Sequence, residues 1–330
     1  MGEFKAFWVE KDESNRVFGV VKAVSEDKLD AGDVTVRVAC SSLNYKDALA
    51  ATGTAKVIER YPCIPGIDLA GEVVASTDNR FRVGDRVLAT GYGLGAYHHG
   101  GFSERARVPG NWLEHVPESL DFQDAMALGT AGYTAALSIE KMERNGLRPG
   151  AAPVIVTGAT GGVGSLVISM LAQRGYEVVA LTRKAGEESY LAKLGAVDVV
   201  PFSDLDLDPS KLLRAGKWSG AVDLVGGNVL GWLVSTMMQS GVIASVGNAA
   251  GLSIQSNVLP FILRGVSILG IHSGSPEPEP RKLIWDRLAT DLKPAGLREM
   301  TNVIELQDLT IFSERLLAGE LKGRHVLKIR

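Results

Sequence analysis

Val154-Ile155-Val156-Thr157 runs straight into Gly158-Ala159-Thr160-Gly161-Gly162-Val163-Gly164-Ser165, and this stretch decides the fold. Four consecutive apolar or β-branched residues predict a strand buried on both faces, and the residues from Leu166 predict a helix to about Arg174. Between them the glycines take the spacing of a dinucleotide fingerprint, with Ala159, Gly161 and Gly164 at its three positions and alanine replacing the first glycine. Gly161 lets the backbone approach a pyrophosphate, and Gly164 lets the helix pack closely on the strand. The N–H groups and dipole of the helix N-terminus face the anion. Thr160, Gly161, Gly162 and Val163 are therefore expected to contact a bound dinucleotide. A purely structural glycine turn is the competing reading, and the strand–turn–helix context disfavours it.

Downstream, Val178-Val-Ala-Leu181, Val197 to Val200, Val222 to Val225, Val242 to Val246 and Ile268 to Ile271 continue the strands, with helical segments between them. Apolar strands alternating with helices predict a doubly wound parallel sheet, an α/β Rossmann domain. The second strand ends at Leu181-Thr182-Arg183-Lys184, where an NAD-selective site places an acid for the ribose hydroxyls. No acid stands there. Arg183 and Lys184 instead suit a 2′-phosphate, with Thr182 adding a hydroxyl, so NADPH is the expected cofactor. The alternative is a solvated basic loop.

Upstream, residues 4 to about 118 read as short β-runs cut by turn signals, among them Val34 to Cys40, Leu69 to Ala75 and Arg86 to Ala89. Asp121 is a plausible N-cap for a helix from Phe122 to Leu128, and a second helical stretch runs from beyond Gly129-Thr130-Ala131-Gly132 to about Arg144. After the Rossmann series come a proline-rich loop, Ser275 to Pro280, helices near 281–292 and 308–317, and a strand from His325 to Arg330. This tail is expected to return to the first module.

At 330 residues the chain predicts two domains. Its 45% apolar and 22% charged residues are ordinary for a globular protein and exclude disorder. A net charge of −3 with no basic block argues against nucleic acid as a partner. Cys40 and Cys63, the only two cysteines, exclude a disulfide scaffold and a cysteine zinc lobe. The first residues lack the apolar run of a secretory signal, and no segment reaches the 18 or so apolar residues of a membrane span. A soluble, cytoplasmic protein with no membrane partner is the expectation.

Several motifs in order carry a resemblance. They are Ser42-Leu43-Asn44-Tyr45-Lys46-Asp47-Ala48-Leu49, Pro65-Gly66-Ile67-Asp68-Leu69-Ala70-Gly71, Gly129-Thr130-Ala131-Gly132-Tyr133-Thr134-Ala135-Ala136-Leu137, Pro260-Phe261-Ile262-Leu263-Arg264-Gly265-Val266 and Gly323-Arg324. Together they resemble the medium-chain dehydrogenase/reductase superfamily, in its zinc-free quinone-oxidoreductase branch and, within it, the YhdH/AcuI-type acryloyl-CoA reductases. The resemblance implies a GroES-like, mostly β catalytic domain over 1–124 and 274–330, and a Rossmann domain over 125–273.

It also implies that the nicotinamide half of NADPH lies between the domains. Tyr45 and Thr134 would stand near its ribose and phosphate, and Asn248, Ile262 and Ser273 would join the cofactor site. Arg324 would reach the same cleft. Zinc-dependent members carry a cysteine near the position of Asn44 and a Gly-His-Glu run, where this chain has Gly66-Ile67-Asp68. The metal is therefore expected to be absent. The remaining pair, His98-His99, is assigned to a loop. One departure stands close to the nicotinamide position: the family usually has Gly-Ile-Asp-Ser, and this chain has Gly270-Ile271-His272-Ser273.

The implied activity is NADPH-dependent reduction of a short enoyl thioester, with Tyr45 and Arg324 as candidate donors to the enolate oxygen. For Tyr45 the competing reading is an aromatic core residue, and Asp47 is read as structural. The rivals are a quinone or enone reductase and a non-catalytic NADPH-binding stress protein. A homodimer through the apolar last Rossmann strand is expected from relatives.

Overall fold

The computed structural model describes residues 2–208, 210–274 and 278–329. Along the chain the elements are β1 (Glu3–Lys11), β2 (Val17–Ser25), β3 (Val34–Ser42), α1 (Tyr45–Thr52), β4 (Asp68–Ser76), β5 (Arg86–Thr90), β6 (Arg105–Val108), β7 (Glu114–His115) and α2 (Phe122–Arg144). Then come β8 (Val154–Thr157), α3 (Gly162–Gln173), β9 (Val178–Thr182), α4 (Glu188–Lys193), β10 (Ala196–Pro201), β11 (Trp218–Asp223), α5 (Gly227–Thr236), β12 (Met237–Ser245), α6 (Leu259–Arg264) and β13 (Ser267–Gly270). The last are α7 (Pro278–Leu288), β14 (Thr301–Ile304), α8 (Leu309–Leu317) and β15 (Arg324–Lys328). Of the proline-rich loop expected over 275–280, residues 275–277 lie outside the described residues, and 278–280 instead belong to α7, which starts at Pro278 and ends at Leu288.

Two compact units result: residues 1–130, 274–282 and 298–330, and residues 131–273 with 283–297. In the first, β1 and β2 form an antiparallel pair, and a seven-stranded sheet runs β14-β15-β3-β4-β5-β7 with β6 paired to β3. Alternation fixes which face is buried: Val34, Val36 and Val38 of β3 point inward with Leu69, Val73, Val87 and Ala106. The C-terminal return pairs β15 antiparallel to β3, with Val326 opposite Ser42, which brings Arg324 into this unit.

The second unit is a six-stranded sheet in the order β10-β9-β8-β11-β12-β13, all pairs parallel. The order reverses between β8 and β11, the switch point at which open α/β sheets bind ligands beyond their strand ends. Ile155, Val179, Leu181 and Ile243 pack with Val229, Leu230 and Leu233 of α5 in one core. Truncating a fully buried member such as Ile155→Ala costs about 2–5 kcal/mol. The largest differences from the expected strand ranges fall in β11 and β12. β11 ends at Asp223, because the Asp223 carboxylate turns the chain by accepting from the amides of Val225 and Gly226. β12 starts at Met237, five residues before the apolar run from Val242, and includes Ser240 at φ 56°.

Candidate cofactor and active site

The phosphate turn is built by contact limits. Gly158 sits at φ 58°, in the left-handed region that favours glycine. A Cβ on Gly164 would lie 2.5 Å from the Gly158 carbonyl oxygen, so only glycine lets α3 sit this close to the turn. Gly161 is the extended N-cap of α3, with no side-chain cap and no acid in the first turn. The first intrahelical bond is Ser165 N to Gly161 O, at 2.9 Å. Among the described residues the amides of Gly162, Val163 and Gly164 meet no protein acceptor, so they and the positive end of the helix dipole stand ready for an anion. Thr160, buried, precedes them.

At the end of β9, Thr182 is buried and its Oγ1 accepts the Lys184 amide at 3.0 Å, which sets the turn. Arg183 is exposed and Lys184 half-buried on that turn. Arg183 makes no ion pair among the described residues, which leaves its guanidinium available for a phosphate. Thr134 of α2 is buried and donates from Oγ1 to Ser273 Oγ at 2.8 Å, so these two expected site residues meet. Asn248 is exposed in the loop after β12, and its carbonyl accepts from Gly251 N at 3.0 Å. Ile262, on α6, is also exposed, as is His272.

The first unit holds a buried polar cluster around Asp68. Its carboxylate accepts from Ser42 Oγ, from Asn44 Nδ2 at 2.8 Å, and from both the amide and hydroxyl of Thr130 at 3.0 and 2.5 Å. Asn44 Nδ2 also reaches Asp47 Oδ2 at 3.1 Å and so bridges two carboxylates. Asp47 further accepts from the amides of Asn44 and Ile67, both at 2.9 Å, in a capping box that starts α1. Burial, with the charge of Asp68 added, pushes its carboxyl up to about 7. The structural reading of Asp47 fits these contacts.

The same cluster explains the shape of α2. Asp121 caps its start, accepting from Asp124 N at 2.7 Å. The two expected helical stretches form one element interrupted only at Gly129, at φ 50° and ψ −152°. A Cβ there would lie 2.6 Å from Asp68 Oδ2 and 2.9 Å from Ser42 Oγ. Arg324 donates to the carbonyls of Ala127 at 2.7 Å and Met126 at 3.4 Å, while Asp68 accepts the Thr130 amide. The cation therefore meets the negative end of the first helical segment and the anion the positive end of the second.

The Arg324 side chain is buried, and its third nitrogen donates to Asn44 Oδ1 at 3.2 Å, so it ties the cluster together. Tyr45, by contrast, is 54% exposed at the start of α1, which removes the core-aromatic reading. Sequence reasoning missed Asp68 as the hub. The glycine in the middle of a helical stretch was the signal that something must pack against its missing side chain.

The His98-His99 pair is held by the protein itself. His98 pairs its two ring nitrogens with the carbonyls of His99 and Ala31, and His99 Nδ1 accepts the Ile64 amide at 3.0 Å. Burial lowers the His99 imidazole below its ordinary range. Among the described residues no group of three or more His, Cys, Asp or Glu side chains is placed to hold a metal. No helix among them is long and apolar enough to cross a membrane.

Residues 30–118 match the alcohol dehydrogenase GroES-like domain, and residues 162–290 match the domain described as zinc-binding dehydrogenase. One chain carrying both is a dehydrogenase/reductase of the medium-chain class. Acrylyl-CoA reductase AcuI of Ruegeria pomeroyi is 41% identical to it over 99% of both chains. YhfP of Bacillus subtilis, whose name assigns it provisionally to the quinone oxidoreductases, is 42% identical over 99% of both. Its crystal structure with NAD bound superposes at a TM-score of 0.97 over 100% of each chain. The YhdH oxidoreductase of Salmonella enterica, solved in complex with NADP, is 41% identical and gives 0.95 over 99% of this chain and 100% of its own. The chain belongs to the AcuI/YhdH family of the medium-chain dehydrogenase/reductase superfamily.

Proposed function

We propose that this chain uses NADPH to reduce the conjugated C=C bond of a short enoyl thioester without a metal, with acryloyl-CoA to propionyl-CoA as the best-fitting reaction. The observation that carries the reading is the 41% identity to an acrylyl-CoA reductase over 99% of both chains. The residues present fit the cofactor. Three unpaired amides at the α3 N-terminus suit a pyrophosphate, and the acid-free Thr182-Arg183-Lys184 turn suits a 2′-phosphate. The bound cofactor supplies the hydride.

The protein's own residues then divide the remaining work. The amides of Gly162, Val163 and Gly164 hold the pyrophosphate that Gly161 lets approach, Arg183 and Lys184 hold the 2′-phosphate, and the Thr134–Ser273 hydroxyl pair with Asn248 holds the nicotinamide half. Reduction at the β-carbon places negative charge on the thioester oxygen, and a donor aimed there lowers the barrier. Tyr45 is our candidate for that donor, since its hydroxyl is on an exposed side chain at a capped helix start. The α-carbon then takes a proton from solvent, which completes the reduction.

The test is steady-state NADPH oxidation with acryloyl-CoA, crotonyl-CoA and a soluble quinone. A thioester reductase turns over acryloyl-CoA with the highest kcat/KM and loses efficiency when the CoA portion is removed. Faster turnover of the quinone would overturn the reading in favour of quinone reduction, which the likeness to YhfP supports as the second reading. We read the protein as a cytoplasmic homodimer: β13 is an open sheet edge, and Leu252, Ile262 and Leu263 near it in sequence are 84%, 69% and 58% exposed. A monomeric mass by light scattering would refute the dimer.

A further inference from the structure

We propose that Asp223, acting with Thr157, is a positioning residue for the dinucleotide: together they lock the turns after β8, β11 and β12 into one cofactor-ready arrangement. The proposal deepens the reading above and rests on it. Both side chains are fully buried where β8 and β11 end side by side, one residue beyond the paired Val156 and Val222. Thr157 Oγ1 donates to Asp223 Oδ1 at 2.8 Å and accepts the Leu224 amide at 2.9 Å. The Asp223 carboxylate then takes the Gly226 amide on Oδ2 at 2.9 Å and the Val225 amide on Oδ1 at 3.3 Å. Its backbone carbonyl accepts from Val246 at 2.8 Å and Gly247 at 3.3 Å. A single residue thus contacts the first residue before the phosphate turn, its own turn, and the turn that carries Asn248.

The surroundings leave little freedom in this knot. Gly226 sits at φ 69°, and a Cβ on it would lie 2.9 Å from the carbonyl oxygens of Gly247 and Gly251. A Cβ on Gly247 would lie 2.2 Å from the Leu224 carbonyl oxygen. The Ala250 amide closes the far side on Val225 O at 2.7 Å. Backbone bonds hold these turns together, and the Asp223 carboxylate and Thr157 hydroxyl add the side-chain bonds that tie the β11 turn to the end of β8. Among the described residues no cation is paired with Asp223, and burial raises its carboxyl above the ordinary range. The carboxylate ends β11 by satisfying two amides, which supports the fold. The same bonds preorganise turns that a dinucleotide would otherwise have to order on binding.

The experiment measures NADPH dissociation constants by protein fluorescence for the wild type, Thr157→Val, Asp223→Asn and Asp223→Ala. Apo melting temperatures and kcat at saturating NADPH are recorded alongside. Thr157→Val is nearly isosteric and removes only the hydroxyl. It should weaken NADPH binding at least tenfold while kcat stays within about threefold. Asp223→Asn keeps one acceptor for Gly226 N and should fall between the wild type and Asp223→Ala, a graded rescue that a general loss of packing would not produce. Thr157→Val carries the test if Asp223→Ala does not fold. Wild-type affinity in both Thr157→Val and Asp223→Asn would overturn the positioning role alone. A wild type that binds neither NADPH nor NADH would overturn the proposed function and this inference with it.

Discussion

Replacing Arg183 by alanine should separate the two nicotinamide cofactors. The side chain is exposed, makes no ion pair among the described residues, and stands on a turn whose geometry is set by Thr182 Oγ1 accepting the Lys184 amide at 3.0 Å. Truncation therefore breaks no ion pair among the described residues, and its effect is expected to fall on the ligand. A charge-assisted bond to a phosphate contributes roughly 1.5–3 kcal/mol, so the loss in NADPH affinity should be about ten- to a hundredfold. NADH has no 2′-phosphate and should bind nearly as before.

The assay is KM and dissociation constant for each cofactor, repeated at low and high ionic strength. Because Arg183 is solvated, its contribution should shrink as salt rises and the Debye length falls from ~10 Å at 0.1 M to ~3 Å at 1 M. Arg183→Lys keeps the charge but loses the two-pronged geometry, and should lie between wild type and alanine. Equal losses for NADPH and NADH would refute the reasoning and place the 2′-phosphate elsewhere.

Tyr45→Phe should lower turnover about tenfold or more, as expected for a lost oxyanion donor at ~3 kcal/mol, with label from 4-deuterated NADPH at the product β-carbon and solvent deuterium at the α-carbon; unchanged turnover would end its catalytic assignment. Activity should survive dialysis against a chelator, and elemental analysis showing near one zinc per active chain would overturn the metal-free reading. Arg287 pairs with Glu140, with Glu143 at 2.9 Å and with Asp291 at 2.6 Å. Arg287→Ala should cost about 2–3 kcal/mol, below the ~3–5 of a fully buried pair because Arg174 still neutralises Glu143 and Asp291; an unshifted melting temperature would show the network to be inert. Asp47 has a folded-state pKa pushed up to about 7 from 3.8, so its contribution to stability is present at low pH and is lost as pH rises through that window. Melting temperatures between pH 4 and 8 should fall with a slope that Asp47→Asn reduces, and an identical slope in both would remove Asp47 as its source.

How much of this was legible in the sequence depends on how local each feature is. The parallel sheet was readable because its strands are short apolar runs and the helices between them follow glycine turns. The phosphate turn was readable for the same reason: strand, glycines and helix start are contiguous from Val154 to Ser165. The boundary of β11 was not, since Leu224 and Val225 look like strand residues, and only the Asp223 side chain, folding back on the amides beyond it, ends the strand there.

The Asp68 cluster fails to show in the sequence for a deeper reason. Its members, Ser42, Asn44, Asp47, Asp68, Thr130 and Arg324, come from four separate stretches, and no spacing in the sequence links one stretch to another. By itself Gly66-Ile67-Asp68 shows only that a zinc-type histidine is missing, and Arg324 near the C-terminus reads as an available cation. Sheet pairing changes both readings. Once β15 lies against β3, the guanidinium is carried into the protein, where the free carbonyls before Gly129 are the acceptors within reach. A charged side chain is free or captive according to tertiary pairing, which explains why Arg324 is held within the cluster while Tyr45, in a contiguous capping motif, is exposed.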